Sequence, residues 1–382
     1  MSESRGHSQP ISQGTVKHRM DFLDTPYGSN DIRLSLREWL LVWFILTLAF
    51  VLPPIIFERL ETFTPSSDYR IPEPYSRDYH LFSRLALDAA KKGAVLVLGD
   101  SVIWGQYVPQ NETLSAFLTQ ESGGREFANL GVNGMHPAAL AGLLRYHGAA
   151  IRNQDVILHC NLLWMSSPER DLQVRKDIPF NHPDLVPQFF PSIPSYRESF
   201  SHRVGVVIRR ILPFYAWVSH VRITRMDNMD FANWTLQNPY GNPLTLLSSS
   251  RSPVDDTRPD PVPWTQKNIA LQNMEWVQPA DSIQWQGFQK ATRTLLDRGN
   301  RLLVLVGPFN VHILTEESRA QYERALTDVR DWLEAQELTC LSPPPLESEY
   351  YADASHPVAE GYRILSDEVL ASDLVQSFVM TQ

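Results

Sequence analysis

Residues 94–101 read Ala-Val-Leu-Val-Leu-Gly-Asp-Ser, five apolar residues in a row followed at once by a glycine turn that carries an acid and a hydroxyl. A short apolar run with no polar alternation and valines at every second place predicts a strand buried on both faces, the kind found in parallel sheets. Working outward, helical patterning around Glu112 to Gln120 is followed by a second strand over Glu126 to Gly131 and a helix over Pro137 to Ile151, with proline in its first turn. Asp155 to Cys160 is a third strand; far downstream, Arg301 to Gly307 is a fourth, Glu316 to Gln336 a helix and Leu338 to Leu341 a last short strand. Strands alternating with helices predict an α/β fold, a flavodoxin-like parallel sheet with helices on both faces.

Between the third and fourth strands lies a large insertion, about residues 163–300, dense in proline and aromatics and too long for an ordinary crossover. Its Arg203 to Arg225 stretch is apolar with interspersed arginines, which suits either a membrane surface or packing on the sheet domain, and Pro213 should interrupt it in both cases. Its tryptophans and tyrosines suit the small core of a lid, or flat platforms for sugar rings.

From Trp39 to Phe57 no charged residue occurs, a length of roughly 28 Å as a helix and close to the thickness of a bilayer core. The run is apolar all round, unlike the one-sided stripe of a surface helix, and 38 residues precede it, which fits a cleaved signal peptide poorly. It predicts a single-pass anchor over residues 37–58, bent or ended near Pro53 and Pro54. Arg19, Arg33 and Arg37 before it match Arg59, Arg70 and Arg77 after it; Arg5 and Lys17 tilt the balance towards a cytoplasmic N-terminus and an extracytoplasmic main domain. The expected organisation is a flexible tail over 1–36, the anchor, a spacer and first helix over 59–90, the main domain over 91–372 and a C-terminal tail over 373–382.

Thirty-four basic residues against 43 acidic ones, a net charge of −9, exclude a general attraction to nucleic-acid phosphates. Cys160 and Cys340, each in an apolar run, are read as small core residues in preference to a bridge. No metal-ligand spacing, phosphate loop or dinucleotide fingerprint is present, so no cofactor is expected.

In a doubly wound sheet ligands gather at the carboxyl ends of strands. Four polar groups fall there or near the C-terminus: Gly99-Asp100-Ser101, Asn129-Leu130-Gly131-Val132-Asn133-Gly134, His159-Cys160-Asn161 and Asp353-Ala354-Ser355-His356. A serine hydroxyl needs a base to remove its proton during attack, and His356 is a candidate base with Asp353, three residues earlier, to orient it. Backbone N–H groups of Ser101 and Gly134 and the side chain of Asn161 are candidate donors to an oxyanion. Asn133, His136 and Trp104 are candidate substrate contacts, and Asp100 is expected to order its turn.

The ordered set Gly-Asp-Ser, Asn-x-Gly-x-x-Gly, an Asn after the third strand and Asp-x-x-His resembles the SGNH/GDSL hydrolases over about residues 93–162 and 300–372. The resemblance implies Ser101 as nucleophile, Gly134 and Asn161 in the oxyanion hole and Asp353 with His356 as acid and base. The helix carrying Gly361-Tyr362 and Leu365 resembles that family's closing helix. The third block departs from the pattern, having His159-Cys160-Asn161-Leu162 in place of Gly-x-Asn-Asp; Asn161 has a competing reading as an amide that caps the strand end. With the anchor, the resemblance implies a serine ester hydrolase acting on O-acyl, preferably acetyl, groups of an extracytoplasmic glycan. An O-acetyltransferase with the same triad, or a catalytically silent scaffold for a glycan or an envelope partner, are the alternatives.

Overall fold

The computed structural model describes residues 34–242, 245, 246 and 261–380. The expected tail over 1–36, with Arg5, Lys17, Arg19 and Arg33, therefore lies outside the described residues except for its last three. The chain divides into two units, Met1–Ala49 and Phe50–Gln382.

Helix α1, Leu36–Leu60, carries the apolar run. Ser35 and Glu38 cap its start reciprocally, Ser35 N–H donating to Glu38 Oε2 (2.7 Å) and Glu38 N–H to Ser35 Oγ (3.4 Å). It is long and apolar enough to cross a membrane. The helix does not end at Pro53 and Pro54 but continues to Leu60.

The main unit continues with α2 (Tyr79–Lys92), β1 (Val95–Gly99), α3 (Ser101–Trp104), α4 (Leu114–Glu121), β2 (Phe127–Gly131), α5 (Pro137–His147) and β3 (Asp155–Cys160). The inserted helices follow: α6 (Phe200–Ile211), α7 (Pro213–Arg225) and α8 (Phe231–Gln237). Then come α9 (Ile283–Asp297), β4 (Arg301–Val306), α10 (Glu316–Ala335), β5 (Thr339–Leu341), α11 (Ala359–Leu370) and α12 (Asp373–Met380).

The five strands are parallel and ordered β2-β1-β3-β4-β5. Side chains leave successive strand positions on opposite faces, and both faces are buried. Leu96, Leu98, Val156, Leu158 and Val304 join one core with residues of α2, α5, α9 and α10. Val95, Val97, Ile157, Leu303 and Leu305 join the other with α3, α4, α11 and α12. Because β1 leads outward to β2 and β3 leads the other way, the carboxyl ends of β1 and β3 flank a switch point where the connecting loops diverge. Asp100-Ser101 and Asn161 follow those two strands.

Three boundaries differ from the sequence reading. Helix α9 packs closely on α5 and feeds β4, so it is the crossover helix of the sheet, and the added chain ends near residue 282. The expected spacer is packed down, with Arg70, Ile71 and Tyr75 all buried. The expected C-terminal tail forms α12, whose Val375 and Phe378 are fully buried. Both cysteines are free, Cys160 buried and Cys340 half-buried, in strands separated by β4.

The α5–α9 contact requires glycine at its centre: a Cβ on Gly287 would lie 2.5 Å from the Ala138 backbone. Gly287→Ala is expected to destabilise the domain by about 1–3 kcal/mol, since the overlap is with main chain that cannot turn aside. Urea unfolding followed by tryptophan fluorescence checks this, and an unchanged midpoint would mean that the two helices can separate freely.

Candidate active site

The turn after β1 is built by Asp100. As N-cap of α3 its Oδ1 accepts from Val102 N–H at 3.0 Å, which starts a helix on Ser101 and turns the strand sharply. Two glycines let α3 sit close over the strand ends: a Cβ on Gly99 would strike Ile103 and His159, and one on Gly131 would lie 2.3 Å from Trp104 N. Asn129 fixes the same helix from β2, its Nδ2 donating to Ile103 O at 2.9 Å while its Oδ1 accepts from Gly131 N–H at 3.0 Å.

At the far end of the chain, the loop before α11 folds back on itself. Asp353 Oδ1 accepts from the N–H groups of Ser355 and His356, both at 3.0 Å, and Asn310 Nδ2 donates to Asp353 O at 3.2 Å. The ring of His356 then lies between two partners. Its Nδ1 is 2.8 and 2.9 Å from the two carboxylate oxygens of Asp353, and its Nε2 is 2.8 Å from Ser101 Oγ. The structure thus joins Ser101, His356 and Asp353 in one hydrogen-bonded row, with Ser101 and His356 mostly buried.

Burial pushes the Asp353 carboxyl up, but the His356 hydrogen bond and charge, with the two loop N–H groups, bring it down to about 2. Tyr107 closes the row, donating to Asp353 Oδ2 at 3.1 Å and meeting the His356 ring edge-on at 5.4 Å. Burial and the Asp353 charge push its phenol up to about 12, so at neutral pH it stays a donor. A row of hydroxyl, imidazole and carboxylate in this order can pass a proton from Ser101 to His356 while the carboxylate stabilises the imidazolium.

Gly134 has φ 72°, a left-handed conformation that favours glycine, and a Cβ there would also meet the side chain of Asn181 at 2.3 Å. The N–H of Ser101 opens α3 and has no intrahelical acceptor. Asn161 does what the capping alternative expects, its Oδ1 accepting from Leu163 N–H at 3.0 Å. Its Nδ2 donates to Asp100 Oδ2 at 2.8 Å, which uses one of two amide hydrogens.

Asp100 Oδ2 also accepts from Trp164 Nε1 at 2.8 Å, and His159 Nδ1 lies 3.2 Å from Oδ1. Burial raises this carboxyl, yet His159, the Val102 N–H and the charge of His356 hold it at about 2. It is the ordering residue that the sequence suggests.

The candidate substrate contacts separate. Asn133 is half-buried beside Gly134, with Nδ2 3.4 Å from Glu73 Oε1. Trp104 is fully buried, Arg70 stacked 4.4 Å over its ring and its Nε1 donating to Ile71 O, so it offers no surface to a ligand. His136 is also buried, its ring nitrogens 3.1 Å from Gln284 Oε1 and Asn181 O; it braces the Gly134 turn from behind. His182 braces it from the other side, Nε2 being 2.9 Å from Asn133 O and Nδ1 3.0 Å from Tyr79 Oη. Tyr107, Trp164, Asn181, His182 and Asn310 carry no motif spacing, and three of them lie outside the matched blocks. Among the described residues no group of three or more His, Cys, Asp or Glu side chains is gathered as metal ligands would be.

No protein-family model matches the chain, and no curated protein is significantly similar to it.

Burial lowers both His136 and His182 to about 4, so both are neutral at pH 7. An unfolded chain takes up these protons near pH 6.5 and the folded one only near 4, so the stability they contribute is present above 6.5 and lost as pH falls towards 4. Each removes up to about 1.4 kcal/mol per pH unit across that window. Thermal unfolding of the detergent-solubilised chain between pH 7 and 4.5 is expected to show a steady fall in Tm, steeper than in His182→Gln. Equal slopes would show that His182 takes up its proton alike in the folded and unfolded chain, and that burial does not lower it.

Proposed function

We propose that this chain is a membrane-anchored serine ester hydrolase of the SGNH/GDSL type, working through an acyl-enzyme on O-acyl groups, preferably acetyl, of an extracytoplasmic glycan. The observation that carries the reading is the contact of Ser101 Oγ with His356 Nε2 at 2.8 Å, backed by Asp353. Further support comes from the strand order β2-β1-β3-β4-β5, the order of flavodoxin-like sheets, and from the meeting of the separate motif blocks at the carboxyl edge.

In this mechanism His356 takes the Ser101 proton as Oγ attacks the ester carbonyl, and the negative oxygen is met by Ser101 N–H, Gly134 N–H and the remaining amide hydrogen of Asn161. Collapse expels the alcohol, which receives the proton from His356, and leaves an acyl group on Ser101. Water activated by the same imidazole releases the acid and restores the serine. A sugar hydroxyl in place of water gives acyl transfer with the same residues. The preference for a glycan rests on the anchor: a domain held outside the membrane meets envelope polymers before cytosolic metabolites.

Hydrolysis of a small chromogenic acetate ester by the full chain in detergent tests the proposal. Ser101→Ala is expected to lower turnover at least about 10³-fold and Asp353→Asn about 10²–10⁴-fold, with circular dichroism unchanged. Asn161→Ala should cost about 10²–10³-fold in kcat, the usual effect of losing one oxyanion donor. No serine-dependent turnover from mildly acidic to mildly alkaline pH would favour the silent scaffold, and acetyl appearing on an added oligosaccharide would select transfer.

A further inference from the structure

Helices α6 and α7 meet at a corner, Ile211-Leu212-Pro213, whose large apolar side chains face outward: Ile211 is 66 % exposed and Leu212 41 %, with Ile208 and Val218 flanking them at 45 and 39 %. Such a patch has no reason to stay exposed to water unless something apolar covers it. The neighbouring helix identifies what that is.

Phe214, one residue past the corner, packs edge-on against Phe50 of α1 with ring centroids 4.7 Å apart. Three to six residues later Trp217 and His220 reach Phe57, at 6.0 and 5.8 Å. Helix α7 therefore runs alongside the last third of α1 in the same direction, and its first turn lies level with Phe50. Phe50 is seven residues, or about 10 Å, short of Phe57, where the uncharged run of α1 ends. Whatever depth α1 gives to Phe50, the corner shares.

This alignment is fixed by charge. Glu61, just past α1, is bonded by Arg84 of α2 and by Arg225 of α7 (2.7 Å), and lies 3.2 Å from Nε2 of His220, whose Nδ1 is 2.7 Å from Asp78. All five groups are nearly or wholly buried. From Phe200 to Arg225 the sequence holds five arginines and no acid; Arg203, Arg210 and Arg225 are turned into the protein, while Arg222 is exposed with the sign that anionic headgroups attract, as is Arg209, 3.4 Å from Asp184.

We propose that the α6–α7 corner is a second membrane contact, inserted into the lipid surface beside α1, so that the domain is seated on the bilayer at two points. This rests on reading α1 as membrane-embedded, and depths of 5–10 Å are usual for such interfacial segments. The exposed Arg209 and Arg222 beside an exposed Ile-Leu pair, level with Phe50 of α1, favour a phospholipid surface over a second copy of this acidic chain.

The test places one fluorophore at a time on the full chain, through Phe44→Cys in α1, Leu212→Cys at the corner or Glu334→Cys at an exposed position of α10, in a Cys160→Ala, Cys340→Ala background. The protein is reconstituted into phosphatidylcholine vesicles with about one quarter phosphatidylglycerol, with and without brominated chains. Brominated lipid is expected to quench the labels at 44 and 212 at least about threefold more than the label at 334. Quenching at 44 with residue 212 behaving like 334 would overturn the second contact while leaving the anchor in place. A label at 44 that is not quenched would remove the anchor and the proposal together. A label at 212 hidden from iodide in water yet untouched by brominated lipid would mean that protein covers the corner, and the proposal would fall.

Discussion

The contact on which the site depends is the hydrogen bond between His356 Nε2 and Ser101 Oγ, formed by residues 255 positions apart in the chain. A bond of that length leaves no room for drift in either loop, and both are tied from several sides. Tyr362 of the closing helix α11 reaches across to donate to Val102 O at 2.6 Å, joining the loop that bears the histidine to the turn that bears the serine. Tyr351 donates to Phe309 O, Lys267 from the inserted chain donates to Ala352 O, and Tyr351 pairs with Pro357 across the loop. Each tie is modest alone, about 1 kcal/mol, but together they hold the imidazole where an unsupported loop would let it swing.

Two carboxylates, the buried Asp100 and the half-buried Asp353, flank this bond and differ in what they do. Asp353 touches the imidazole; Asp100 touches only the groups around it, holding Asn161, Trp164 and the first turn of α3. Both are kept ionised, at about 2, by the donors that surround them. The charge of His356 is felt by both. An imidazolium formed by taking a proton from Ser101 would therefore appear in a field already negative on two sides. In the proposed reaction that is the charge that has to form first.

The sheet was legible because buried parallel strands are continuous apolar runs, and each of the five was found within a residue or two of its observed ends. Ser101 was legible for a related reason, since it follows a strand at the switch point, whereas Asp353 and His356 were legible from their three-residue spacing on the loop before α11. Helix α9 was hidden by composition, its buried face mixing Gln284, Gly287 and Thr292 with Trp285, Phe288, Ala291 and Leu295, which makes a poor aliphatic stripe. His136 and Trp104 lie close to site residues in sequence and yet point into the core, because a residue beside a tight turn has two directions to choose from and only packing decides. Asn181 and His182 were not findable at all from spacing, since they arrive from the inserted chain.

That inserted chain therefore has two roles that composition alone did not separate. Its first part, residues 163–196, lies over the Gly134 turn through Asn181 and His182. Its helices α6 and α7 do something else, meeting the last turns of α1 and the ion cluster at Glu61. A flexible linker after α1 would let the domain tumble, whereas Glu61, Arg84 and Arg225 lock the start of the domain to the end of the helix, and the buried Arg70 fastens the next stretch to Trp104. Trp104 in turn is the last residue of α3, the helix that begins at Ser101. Packed groups of the main unit thus tie the last turns of α1 to α2 and α7, and the stretch that follows to the short helix that bears Ser101.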